Sequence, residues 1–97
     1  MDSKWKIPLY KIFTDKEDID CVSKVIRRGR DWAIGPEIPE FEKLLGNYVG
    51  TKYCVAFNSG TSALHAALIA AKVSKYDEII TPSFTFISTS NSILMAS

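Results

Sequence analysis

The sequence is short of what many site chemistries require. It has one histidine, His65, and two cysteines, Cys21 and Cys54, which form no CxxC pair. No metal site is suggested, since a lone His65 does not complete one with them. No lysine stands beside the glycines as a Walker A loop demands. Asn58-Ser59-Gly60-Thr61-Ser62-Ala63 holds one glycine where a dinucleotide-binding turn needs three. A formal charge of +1 gives no electrostatic reason to expect nucleic acid or an anionic membrane surface as partner. The basic cluster Arg27-Arg28-Gly29-Arg30 is the exception, but Glu17, Asp18, Asp20 and Asp31 dilute it, and it reads as a solvated helix end. No apolar run approaches membrane-spanning length, and Met1–Lys6 lacks the apolar core of a signal peptide. The default compartment is a reducing cytoplasm, with Cys54 expected as a small buried hydrophobe.

What is present suits one small globular domain: 97 residues, 46% hydrophobic and 24% charged. Residues 1–13 read as an extended arm containing Pro8. Thr14-Asp15-Lys16-Glu17 has the T-x-x-E form of a capping box, and Ile19, Val22, Val25 and Ile26 follow at helical spacing. Gly29 ends that helix. Asp31 to Pro36 is a loop in which Trp32 reads first as a side chain wedged against the fold, and alternatively as one lining a site. Ile38, Phe41, Leu44, Leu45, Tyr48 and Val49 form one helical stripe, with Pro39 at the first helical position, Glu40 and Glu42 in the first turn and Gly50 beyond the end. Residues 14–50 are therefore a helical region.

Residues 51–97 are expected as βαβα. Tyr53–Phe57 reads as a buried strand, Asn58-Ser59-Gly60 as a tight turn, and Thr61 to about Ala71 as a helix apolar on every side. Glu78–Thr81 reads as a second strand stopped by Pro82, parallel to the first. Phe84–Ile87 carries strand-like residues, yet Ile87, Ser90, Asn91 and Leu94 continue at helical spacing, so a helix is expected from about Ser83. A helix opening straight after a strand aims unpaired N–H groups and its positive dipole end above the strand, a competent cradle for a single phosphate. Two parallel strands make no stable sheet and the chain closes inside an apolar segment, so more polypeptide is expected to follow.

Four blocks in order carry a resemblance: W-x-x-G-P-x-x-x-x-F-E (Trp32 to Glu42), Y-V-G-T-K-Y (Tyr48 to Tyr53), N-S-G-T-S-A-L-H (Asn58 to His65) and D-E-I-I-T-P-S-F-T-F-I-S-T (Asp77 to Thr89). Together they resemble the N-terminal part of the DegT/StrS-type sugar aminotransferases. The resemblance implies an α/β fold, the opening of the large cofactor-binding domain of an aspartate-aminotransferase-like (fold type I) enzyme. It implies pyridoxal 5'-phosphate as cofactor, with Gly60, Thr61 and Ser62 at its phosphate and Phe86 against its ring. It places Trp32 and Gly35 near the substrate end. It further implies a nucleotide-linked keto sugar as amino acceptor, an amino-acid donor and a homodimer, with the Schiff-base lysine and the acid facing the ring nitrogen beyond residue 97. On that reading this stretch alone is inactive. Alternatives are a sugar dehydratase relative, a non-enzymatic phosphate-binding or interaction module, or a fragment with no function of its own. Taken without the family, Thr61 and Ser62 serve equally well as helix caps, and Phe86 as core. His65 reads as a packed histidine making one hydrogen bond, and Lys72 and Lys75 as solvated.

Overall fold

The computed structural model describes residue 7 and residues 10–96, and divides into two units, Met1–Pro36 and Glu37–Ser97. Most of the expected arm, residues 1–13, lies outside the described residues; Ile7 and Tyr10 to Phe13 are exposed.

The first unit is built on α1 (Lys16–Arg28). Its N-cap is Asp15, one residue later than the expected Thr14. The Asp15 carboxylate accepts the N–H groups of Glu17 and Asp18 at 2.8 and 3.2 Å, and Asp18 Oδ2 accepts the Asp15 N–H at 3.0 Å. Two overlapping boxes are written here, T-x-x-E and D-x-x-D. The carboxylate wins because an ionised acceptor bonds N–H groups more strongly than a hydroxyl and also complements the helix dipole. Gly29 closes the helix in the left-handed conformation, with Arg27 and Arg28 in the last turn. Arg28 folds back over the loop, donating from Nε to the Arg30 carbonyl at 3.1 Å and from Nη2 to that of Asp31 at 3.0 Å. Trp32 is 65% exposed, so the wedged reading is not met, whereas Gly35 is buried.

The second unit carries α2 (Glu37–Val49), α3 (Gly60–Ala70) and α4 (Ser88–Ala96). Helix α2 starts earlier than its pattern indicated, so Pro39 takes the third helical position, where its missing N–H is still an orphan. Glu42 consequently leaves the first turn, which holds Glu37 and Glu40. At the C-terminus the Gly46 carbonyl accepts the N–H groups of both Gly50 and Thr51 at 2.9 Å, with Gly50 left-handed at φ 79°. Helix α3 ends in a Schellman motif: Lys72 N–H donates to the Ile69 carbonyl at 2.9 Å and Val73 N–H to that of Leu68 at 3.1 Å. Lys72 takes the left-handed position at φ 60°, where glycine is usual.

The expected parallel βαβ unit is not seen among the described residues. Among the described residues the elements are four helices, and the segments 53–57 and 78–81 carry no ladder. The reason is physical: a strand is stable only when its backbone groups pair with a neighbour, and neither segment has one here. Helix α4 likewise begins at Ser88, not Ser83, and residues 82–87 are irregular. Packing in this unit is helix on helix. Helix α3 lies against α4, and Ser92, 1% exposed, allows the approach while its hydroxyl donates to the Thr89 carbonyl at 2.9 Å. Beside that contact a cleft of about 210 Å³ is lined by Leu64, Leu68, Ile79, Thr81 and Ile93, among others. Thr81 Oγ1 is buried and unpartnered among the described groups.

Candidate functional site

The mouth of α3 is built by Ser59. Its backbone is extended at φ −157°, ψ 153°, which turns the chain into the helix, and its Oγ accepts the Ser62 N–H at 3.1 Å. The same Oγ donates to Ser62 Oγ at 2.9 Å, and the Ser59 carbonyl accepts the Ala63 N–H at 3.1 Å. Two donors remain over. Among the described residues the N–H groups of Gly60 and Thr61 meet no intramolecular acceptor. Gly60 is exposed, and an added Cβ there would meet nothing within 4 Å, so the space beside its Cα is open. The mouth is therefore partly self-capped and partly free: the Ser62 N–H is taken by Ser59, while the Ser62 hydroxyl, which accepts from Ser59, keeps its own proton to donate, and the Gly60 and Thr61 N–H groups are available.

The remaining candidates are placed as follows. Phe86 stands just ahead of α4, 75% exposed, and its carbonyl accepts the Thr89 N–H at 3.0 Å. It belongs to the same unit as the α3 mouth, but no hydrogen bond joins the two. Trp32 and Gly35 belong to the first unit. His65 is occupied, since its Nε2 lies 3.2 Å from the Met95 carbonyl, an atom that can only accept. Lys75 lies over the Tyr76 ring at 5.0 Å to the centroid. Cys54 is half-buried, not buried, and Cys21 is exposed; both thiols are free.

One side chain near the site escaped the sequence reading. Glu42 Oε1 accepts the Ala56 N–H at 2.8 Å, tying α2 to the segment that runs into the α3 mouth. The available signal was positional. Glu42 is a charge on the row Ile38–Glu42–Leu45–Gly46, the side of α2 that faces its neighbours. Beyond the site, Ser74 donates its N–H and its hydroxyl to Asp77 Oδ2 at 2.7 and 2.9 Å, and these bonds lower the Asp77 carboxyl below its ordinary range.

The sequence profile of the DegT/DnrJ/EryC1/StrS aminotransferase family matches residues 13–97. The chain belongs to this family. Among similar proteins, the UDP-2-acetamido-2-deoxy-3-oxo-D-glucuronate aminotransferase of Pseudomonas aeruginosa is 38% identical over 82% of this chain and 22% of its own length. The UDP-4-amino-4-deoxy-L-arabinose–oxoglutarate aminotransferase of Shewanella sediminis is 34% identical over 92% of this chain and 23% of its own. GDP-perosamine synthase of Caulobacter vibrioides is 46% identical over 63% of this chain and 16% of its own. The chain thus spans about a fifth of the length of the curated relatives it matches. No solved structure matches it.

Proposed function

We propose that this chain supplies the cofactor-phosphate cradle of a pyridoxal 5'-phosphate-dependent aminotransferase acting on a nucleotide-linked keto sugar. The observation that carries the reading is the pair of unengaged N–H groups at Gly60 and Thr61, at the positive end of α3 beside an exposed glycine. A phosphate monoester fits this donor set, because each backbone N–H bonded to it forms a charge-assisted hydrogen bond of about 1.5–3 kcal/mol. The Thr61 and Ser62 hydroxyls add further donors, the latter with the Ser59 cap intact because it accepts from Ser59 Oγ and keeps its own proton.

When bound, pyridoxal phosphate supplies the electron sink through which an amino group is exchanged. The chain's own residues hold and orient it. Gly60 and Thr61 would hold the phosphate, and Phe86 would stack on the ring, a contact worth about 0.5–1.5 kcal/mol beyond its buried area. Trp32 and Gly35 are the residues we assign to the substrate end of the whole protein. We assign His65 no catalytic role; its Nε2 meets the Met95 carbonyl, which joins α3 to α4. The Schiff-base lysine lies outside this chain, and so does the acid at the ring nitrogen. In the whole protein the segments 53–57 and 78–81 pair as parallel strands of an aspartate-aminotransferase-like sheet, the subunits form a homodimer, and the work is cytoplasmic. The chain alone does not transfer amino groups.

The Ser59–Ser62 bond favours a second reading, in which the mouth is a plain helix cap with no ligand. A titration with pyridoxine 5'-phosphate, which has no aldehyde to react with lysines, separates the two. Followed by amide NMR, it is expected to shift Gly60 and Thr61 selectively, while pyridoxine without the phosphate leaves them still. Equal response to both compounds, or none to either, removes the cradle reading.

A further inference from the structure

We propose that Glu42 is a positioning residue for the cradle, acting through Ala56 without touching any ligand. The inference rests on the cradle reading above. Glu42 Oε1 accepts the Ala56 N–H at 2.8 Å in a part-buried setting. Ala56 precedes the Ser59 cap by three residues, no more than about 10 Å of chain. Among the described residues no ladder holds segment 53–57, and the Glu42 carboxylate is the acceptor that meets the Ala56 N–H. One turn along α2, Gly46 lets the other end of the segment close in: an added Cβ there would stand 3.4 Å from the Thr51 carbonyl oxygen and 3.6 Å from Cys54 Cβ. Two adjacent positions of α2 therefore hold residues 51–56 at both ends. The line on which the chain enters α3, and hence the aim of the Gly60 and Thr61 N–H groups, follows from that hold. A carboxylate suits the task because a charge-assisted bond is shorter and stronger than a neutral one.

The test compares the wild-type chain with Glu42→Leu, which has no acceptor, and Glu42→Gln, which keeps a carbonyl oxygen at the same reach. Amide hydrogen exchange is read at Ala56, Ser62 and Ser92, and the affinity for inorganic phosphate from the Gly60 and Thr61 shifts. The expected result is a protected Ala56 amide in the wild type and Gln forms. In the Leu form Ala56 and Ser62 exchange faster while Ser92 is unchanged, and phosphate affinity falls about tenfold, the scale of one lost hydrogen bond. Return of affinity in the Gln form marks positioning, since a general loss of structure would also speed Ser92. Rapid exchange of Ala56 in a wild-type chain that binds phosphate overturns the role of Glu42 alone, as does unaltered affinity in the Leu form. Failure of the wild type to bind phosphate overturns the cradle, and the proposal with it.

Discussion

At the scale of single residues, the telling contrast is between glycines that the fold requires and one that it does not. Gly50 holds a left-handed φ of 79°, a conformation costing a residue with a Cβ about 1–2 kcal/mol. Gly60 holds no such φ, opens a helix, and has nothing within 4 Å of where a Cβ would stand. The chain's own packing gives no reason for a glycine there; on the proposed reading, the phosphate would use that space. Gly60→Ala is therefore expected to leave the far-UV circular dichroism unchanged. It should raise stability slightly, by up to about 1 kcal/mol through the less flexible unfolded chain. The same variant should lose most of its affinity for pyridoxine 5'-phosphate. Undiminished binding would show that the open space is incidental. Lys72 makes the opposite case. It stands left-handed at φ 60° at the close of α3, and Lys72→Gly is expected to stabilise the helix by about 1 kcal/mol, read from thermal melts. A destabilising result would mean that the Lys72 side chain has a partner worth more than the strain.

At the scale of elements, helices were legible and strands were not, for one physical reason. A helix closes its hydrogen bonds within its own residues, so the stripe from Ile19 to Ile26 and the stop at Gly29 sufficed to place α1, and the apolar run Ala63–Ala70 sufficed for α3. A strand closes its bonds on another segment, so Tyr53–Phe57 and Glu78–Thr81 carry β-type composition without becoming strands among the described residues. Boundaries failed where two local signals competed: Thr14 against Asp15 at the start of α1, and the strand-like Phe84–Ile87 against the helical spacing that begins α4 at Ser88. The site was legible in the same measure. The turn at Gly60 could be read because it is local, whereas Glu42 reaches across 14 residues and left only a charge on an apolar row. The Ser74–Asp77 turn yields a prediction of this local kind. Its bonds lower the Asp77 carboxyl, so they favour the turn above the ordinary carboxylate range, and the effect is lost as pH falls through the lowered value. The Ser74 amide resonance is expected to move in acid with a midpoint below that of an unperturbed aspartate, and to stay fixed in Asp77→Asn. A midpoint at the ordinary value would mean the two hydrogen bonds do not persist in solution.

At the scale of the whole molecule, the balance of covered and uncovered apolar surface governs behaviour. No apolar side chain among the described residues is fully buried. The helix that is apolar on every side, α3, leaves Leu64 and Ile69 exposed, and in α2 Phe41, Leu44 and Tyr48 are exposed along the stripe. Ordinary domains near this size bury roughly 60–70% of the surface their unfolded chains expose, and that burial is what makes unfolding cooperative. Here secondary structure rests on caps and local bonds: the Asp15 box, the Schellman close of α3 and the Ser92–Thr89 bond. The contacts that couple the elements, α3 on α4 with the His65–Met95 bond and the Glu42–Ala56 bond, leave no described apolar side chain fully buried. The chain by itself is therefore expected to show a helical far-UV spectrum, strong binding of a hydrophobic dye such as ANS, and a broad urea transition. Its slope should lie under the roughly 1 kcal/mol per molar at the low end for small domains. A sharp transition with a slope in the ordinary range and no dye binding would show that these apolar faces are covered within the 97 residues. Both outcomes can be read without any ligand, so the result stands whatever the α3 mouth turns out to hold.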